Sequence, residues 1–420
     1  MGNSELAVLF FLQVAVILTI CRVVGLIAVR FGQPQVVAEM IAGVLLGPSV
    51  FGLWLPAWQQ TLFPWDATQT GRDSQSYLFP VSQLGLALYM FVVGLEFRVD
   101  IIGRHFRSSL AVSLAGMVAP FLLGAVLAWF FVRHTALFPP QTSPVEGMLF
   151  LGASLCITAF PMLARIIHSK GLTGTRMGTV AIGAGAIDDA AAWCVLAVVL
   201  ASFDGDWSVA VRSIGGGLAF VVFAAEVMRP LLRHGVKYLI GPEDELSETG
   251  LAIGLVCMAL GAWFTDIIQL HAVFGAFVMG TVIPRGPMQR ALVDRIQPLA
   301  VTFLLPLFFT YSGLNTRITL LNSGYLWCLC GLVLLAAVAG KGAACWLAAW
   351  RTGIPVREAF GIGALMNARG LMELIIINIG LERRVISEEL FVILVLMAIV
   401  TTLIASPAFE LLVTDRERLR

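Results

Sequence analysis

The chain has 420 residues, 59% hydrophobic and only 13% charged, with a mean hydropathy of +0.90. Soluble globular domains carry about 25% charged residues, so this composition excludes that class and indicates an all-α polytopic membrane protein. A net charge of +1 gives no basis for nucleic-acid binding, and the seven cysteines lie in apolar runs without paired ligand spacing, as small packing residues do.

Thirteen candidate spans follow in order: 5–29, 33–52, 81–97, 109–133, 148–168, 176–203, 208–232, 248–265, 268–284, 300–312, 323–350, 358–381 and 389–414. No basic region precedes the first run, so it is expected to stay as a helix and not to be cleaved as a signal peptide. The longest loop, 53–80, carries Pro56, Trp58, Pro64 and Trp65, which suits an interfacial segment with aromatic anchors better than a folded module. No soluble regulatory domain is expected.

Membrane proteins keep Lys and Arg in cytoplasmic loops. With the N-terminus outside and the C-terminus cytoplasmic, 17 basic residues fall inside and 6 outside. The remaining four, Arg22, Arg165, Lys341 and Arg369, lie within spans. Arg22 and Arg165 sit near inner ends, where snorkelling accounts for them. A bacterial inner membrane is the expected location.

A faint internal repeat accompanies this pattern. Gly94-Leu95-x-x-Arg98 recurs as Gly313-Leu314-x-x-Arg317, and Ala42-Gly43 with Pro48 resembles Met279-Gly280 with Pro284, both at an offset of seven spans. An odd offset turns the second copy over in the bilayer, which is the inverted-repeat pattern of secondary transporters.

The same offset joins the fifth span to the twelfth. The fifth carries Ser154, Thr158, Pro161 and Arg165, and the twelfth carries Gly363, Asn367, Arg369, Gly370 and Glu373. Pro removes a backbone donor and Gly weakens a helix, so an unwound middle is expected in each. Arg369 and Glu373 are four apart and can pair on one face. Between these spans lies Gly183-Ala-Gly-Ala-Ile-Asp188-Asp189-Ala-Ala-Ala-Trp193, which places two carboxylates near the bilayer midplane. Lys341, between Gly340 and Gly342, is too deep to snorkel and needs an acidic partner among Asp188, Asp189 and Glu373. Two carboxylates against one Lys leave one negative charge, which a proton or a cation can meet. Adjacent helix residues point about 100° apart, so one Asp can face Lys341 and the other the helix breaks. Glu39, Glu226 and His271 are further polar residues within spans, with Glu39 a candidate for an aqueous funnel and His271 for an interior hydrogen bond.

These residues carry a resemblance. The runs Gly32–Glu39 through Leu46-Gly-Pro48, Phe91–Glu96, Ile157–Arg165, Ala186–Asp189, Phe274–Phe277, Pro306–Phe309 and Asn367–Leu374 resemble the monovalent cation:proton antiporter-2 superfamily. That group includes bacterial sodium/proton antiporters and the cation/proton exchangers of plants and fungi. The resemblance implies an elevator-type antiporter with two crossing broken helices, the fifth and twelfth. Its core helices would be about 109–203 and 323–414, and its dimerisation helices about 5–97 and 208–312, in a homodimer. Asp189 matches the ion-binding aspartate, Asp188 the preceding position, and Lys341 the core lysine of electrogenic members. The run from Asn367 looks more like the exchangers that handle potassium.

The expected function is therefore electrogenic antiport of a monovalent cation, Na+ favoured over K+, for H+, with no cofactor and no enzymatic activity. Asp189, with Thr158 and carbonyls of the broken helices, would hold the cation; Asp188 would pair with Lys341; Arg369, Glu373, Asn367, Ser154 and Pro161 would support the core. An electroneutral K+/H+ exchanger and a cation channel are the alternatives. An intramembrane aspartyl protease fits poorly, because adjacent carboxylates on one helix diverge.

Overall fold

The computed structural model describes residues 3–31, 33, 35–64, 75–97, 105–172, 175–204, 207–240, 246–268, 270–314 and 316–412. Its helices are α1 (Asn3–Arg30), α2 (Gln35–Leu46), α3 (Gln75–Glu96), α4 (Phe106–His134), α5 (Pro144–Cys156), α6 (Phe160–Ser169) and α7 (Arg176–Asp204). They continue as α8 (Trp207–Phe223), α9 (Arg229–Leu239), α10 (Glu248–Ile267), α11 (Ala272–Val282), α12 (Pro287–Leu299), α13 (Leu305–Leu314), α14 (Gly324–Arg351), α15 (Val356–Leu365), α16 (Leu371–Glu382) and α17 (Glu388–Leu412). Short π turns join α8 to α9 and α12 to α13. Among the described residues, ten helices are long and apolar enough to cross a membrane. The other three expected spans are the fifth and twelfth, each split into two helices, and the ninth, which begins only after His271.

Local chemistry explains the helix starts. Ser143 and Glu146 form a reciprocal capping box ahead of α5, and the hydroxyls of Ser247 and Ser323 cap α10 and α14. Several boundaries differ from expectation. The third span begins at Gln75, with Pro80 inside its helix, and the tenth begins at Pro287, where α12 contains Pro298 and continues through the π turn into α13. In the 53–80 loop a short helix at Pro56–Leu62 holds Trp58 largely exposed, as an interfacial anchor would be. Arg22 and Glu226 are exposed, and Glu39 is buried. The side chain of Arg165, together with Gly32, Pro34, Trp65, Arg72, Arg98, Arg104 and the arginines after 414, lies outside the described residues.

The helices pack in two sets. One comprises α4–α7 with α14–α17, the other α1–α3 with α9–α13, and α8 packs on α7 between them. The inverted repeat is built into the second set. A methyl group on Gly313 would overlap the backbone of Gly43, and one on Gly280 would overlap that of Gly94. These are the four glycines of the two sequence repeats, and exchanging the copies maps one crossing onto the other. Gly313→Ala should therefore lower the thermal midpoint in detergent, by about 1–3 kcal/mol of stability, because two backbones must separate. A thermal-shift measurement checks this.

Candidate functional site

Two broken helices meet at the centre of the first set. After Cys156 the chain turns extended, with Ile157 at φ −68 and ψ 139, and α6 starts at Phe160. Pro161 thus falls in the first turn of a new helix, where its missing N–H costs nothing, and the break lies before it. The twelfth segment is interrupted from Met366 to Gly370. A backbone hydrogen bond from Ala159 N to Ala368 O, 3.1 Å, joins the two breaks.

A helix that ends inside a membrane leaves carbonyls without water to satisfy them. At the end of α5, Arg369 fills this role: its guanidinium donates to Ser154 O at 2.9 Å and Leu155 O at 2.7 Å, and to Glu373 Oε1 at 3.2 Å. Glu373 lies in the first turn of α16, where a negative charge suits the positive end of the helix dipole. The Arg369 backbone is held in turn by Thr402, whose hydroxyl accepts from the Arg369 N–H at 3.0 Å and shares its own proton between Ala398 O at 2.8 Å and Arg369 O at 3.0 Å. Arg369→Met should cost about 3–5 kcal/mol, because it strands Glu373 and two carbonyls in a dry interior. The extent of unfolding after heating in detergent checks this, and Glu373→Gln in the same chain should recover part of the loss.

Lys341 caps the next carbonyl. Its ammonium donates to Cys156 O, to Gly116 O at 3.1 Å and to Asp188 Oδ2 at 3.5 Å, which uses all three of its protons. Asp188 is equally saturated. Its Oδ1 accepts from Ser113 Oγ at 2.6 Å, and its Oδ2 accepts from Thr158 Oγ1 at 2.5 Å as well as from Lys341. Both side chains are fully buried.

Asp189 has none of this. It is 2% exposed, and neither carboxylate oxygen has a hydrogen-bond partner in the protein. With Lys341 balanced by Asp188 and Arg369 by Glu373, the uncompensated charge of the cluster resides on Asp189. Asp189 is thus the one carboxylate of the cluster left without a positive partner.

The geometry redistributes some expected partners. Thr158, expected beside Asp189, has its hydroxyl on Asp188, and the carbonyls of the broken α5 go to Arg369 and Lys341. Ser154 contributes its carbonyl, since its hydroxyl bonds Phe150 O within its own helix. Asn367 donates to Gly363 O at 3.0 Å, and its own oxygen has no protein partner. Ser113, Gly116 and Thr402 were missed. A signal was present: Ser109 and Ser113 are one turn apart in an apolar span, and Thr401-Thr402 interrupt an aliphatic one. Among the described residues no cluster of three or more His, Cys, Asp or Glu could hold a metal ion.

Residues 15–414 match the family model described as sodium/hydrogen exchanger, transmembrane. The chain is 38% identical over 407 residues to the Na(+)/H(+) antiporter NhaS4 of Synechocystis, covering 96% of this chain and 97% of that one. It is 36% identical to Cation/H(+) antiporter 20 of Arabidopsis thaliana, covering 95% of this chain and 48% of that one. It is 32% identical to K(+)/H(+) antiporter 1 of Saccharomyces cerevisiae, covering 99% of this chain and 48% of that one. The chain thus spans about half the length of these plant and yeast relatives. Among solved structures it resembles the sodium proton antiporter MjNhaP1 of Methanocaldococcus jannaschii, with a TM-score of 0.63 at 13% identity over 97% of this chain and all of that one.

Proposed function

The chain belongs to the sodium/hydrogen exchanger family of membrane transporters, and from that premise we propose that it is a secondary active antiporter exchanging a monovalent cation for protons. The observation that carries this reading is the state of Asp189: a buried carboxylate with no partner of its own, next to two neutralised ion pairs. A proton or a dehydrated cation satisfies such a group, and both cannot do so at once. Competition for one carboxylate couples the two fluxes.

Alternating access is assigned to an elevator movement of the first helix set, with the broken helices and Asp189, against the second set. The division of packing into two sets supports this reading, as does the aromatic character of the contacts between them: Phe97 of the second set meets Phe160 of the first at 5.6 Å. The second set is the dimerisation unit of a homodimer in a bacterial inner membrane, with the C-terminus cytoplasmic. Transport is electrogenic. Asp188 pairs with Lys341 in the empty site, and cation entry at Asp189 disturbs that pair so that the Lys341 ammonium gives up the second proton.

Na+ is the favoured substrate. An electroneutral K+/H+ exchanger is the second reading, favoured by the run Asn367–Leu374 and by relatives named for potassium as well as sodium. Proton movement followed with a pH dye in proteoliposomes, driven in turn by sodium, potassium and lithium, tests both. No response to any of the three ends the antiport reading, and a response to potassium alone selects the second.

A further inference from the structure

The helix that links the two sets changes neighbours part-way along its length. Its first part, α8, packs on α7 of the first set, and the π turn at Ala224–Met228 packs on α11 of the second. There the Arg229 N–H bonds Ala224 O, five residues back instead of four, so the turn holds an extra residue and shifts the helix faces on either side of it.

Beside the turn lies a groove of about 530 Å³, lined by Phe220, Phe223 and Met228 of the linking helix, Leu260 and Phe264 of α10 and Met279 of α11. Loose packing of α10 on α11 does not create it. A methyl group on Gly261 would lie 2.8 Å from Gly275 O, so those two backbones already touch. The linking helix stands off from them instead, and reaches across where Phe220 stacks on Phe264 at 5.3 Å.

The groove faces the bilayer. Phe223, Leu260 and Trp263 along it are 47%, 58% and 62% exposed, on helices long and apolar enough to span. An apolar groove in that position takes hydrocarbon, and the sequence beside it adds a charge. Arg229 directly follows Met228, and Arg233 lies one turn further; both are exposed. Residues 224–239 carry Arg229, Arg233 and Lys237 against Glu226 alone. From Phe220 to Arg229 the helix rises about 14 Å, close to the roughly 15 Å of hydrocarbon in one leaflet. A chain lying in the groove therefore brings a headgroup phosphate to the level of these guanidinium groups, whose paired N–H donors match phosphate oxygens.

We propose that the groove is a phospholipid site, in which one acyl chain lies against Phe220, Phe223 and Phe264 while Arg229 and Arg233 bind the phosphate. A second copy of this chain is a poorer occupant. A neighbouring helix is about 10–12 Å across and would rest on the rim, and a two-fold contact here would bring the arginines of both copies together. A lipid meets both the groove and the charge, and it braces the linking helix at its π turn. None of these residues belongs to the Asp189 site, so the proposal stands independently of the antiport reading.

A photoactivatable phosphatidylglycerol with a diazirine near the end of one acyl chain tests this in liposomes, with the labelled residues mapped by peptide mass spectrometry. In the full-length parent, label should concentrate on the peptides that contain 219–228 and 257–264. Arg229→Gln with Arg233→Gln should lower that labelling about tenfold, since two charge-assisted contacts are lost. Ala219→Trp, which fills the groove from an exposed position, should remove it. All three positions are exposed, and thermal midpoints equal to the parent's verify that the variants fold. A diacylglycerol carrying the same diazirine but no phosphate should label the groove no more than the lipid-facing residues of α1 and α14. Label spread evenly over the lipid-facing helices of the parent, or groove labelling that survives the arginine substitutions, would overturn the phosphate-anchored site. An unlabelled groove in a chain that cross-links to a second copy through Ala219→Cys would overturn it in favour of an interface between copies.

Discussion

Asp189→Asn should reduce cation-driven proton movement to the level of protein-free liposomes, under sodium and potassium alike. The variant should nevertheless fold. A buried carboxylate with two unpartnered oxygens is costly to keep ionised, and a neutral amide in its place removes that cost, so thermal stability should equal or exceed that of the parent. The combination of full stability and no exchange separates loss of the ion site from loss of the structure. Normal exchange in Asp189→Asn would sink the assignment of the transported ion to this residue.

The second large effect concerns the neighbouring pair. Asp188→Asn should retain exchange but lose its response to an imposed membrane potential, because the charge proposed to move with the second proton has been removed. Its stability should also fall by about 3–5 kcal/mol, since the Lys341 ammonium would keep Gly116 O and Cys156 O but lose its counter-charge. Lys341→Met in the same chain should restore most of that stability without restoring the voltage response, as replacing both members of a buried pair is far less harmful than breaking one. Potential-dependent rates in valinomycin-clamped proteoliposomes give the readout. An unchanged voltage response in Asp188→Asn would refute the role of the pair.

Much of the architecture was legible from residue order. Runs of spanning length, the seven-span offset and the glycines at 43, 94, 280 and 313 announced an inverted repeat, and the close crossings of those glycines are its physical reason: only a residue without Cβ lets the backbones touch. The expense of ionisable groups in hydrocarbon made Asp188, Asp189, Lys341, Arg369 and Glu373 stand out without any structure. The Arg369 and Glu373 pair followed from a spacing of four.

Helix phase and long-range partners were a different matter. A spacing of one between Asp188 and Asp189 says that they diverge, but only the packing of α4, α5 and α14 around α7 decides that Asp188 meets Ser113, Thr158 and Lys341 while Asp189 meets none of them. The carbonyls of α5, which an isolated helix break would leave exposed, are closed by Arg369 from more than 200 residues further along the chain. Residue order by itself therefore determined which side chains had to be paired, because desolvation is a property of each group. Tertiary structure decided which of them found a partner, because pairing depends on directions that neighbouring helices impose.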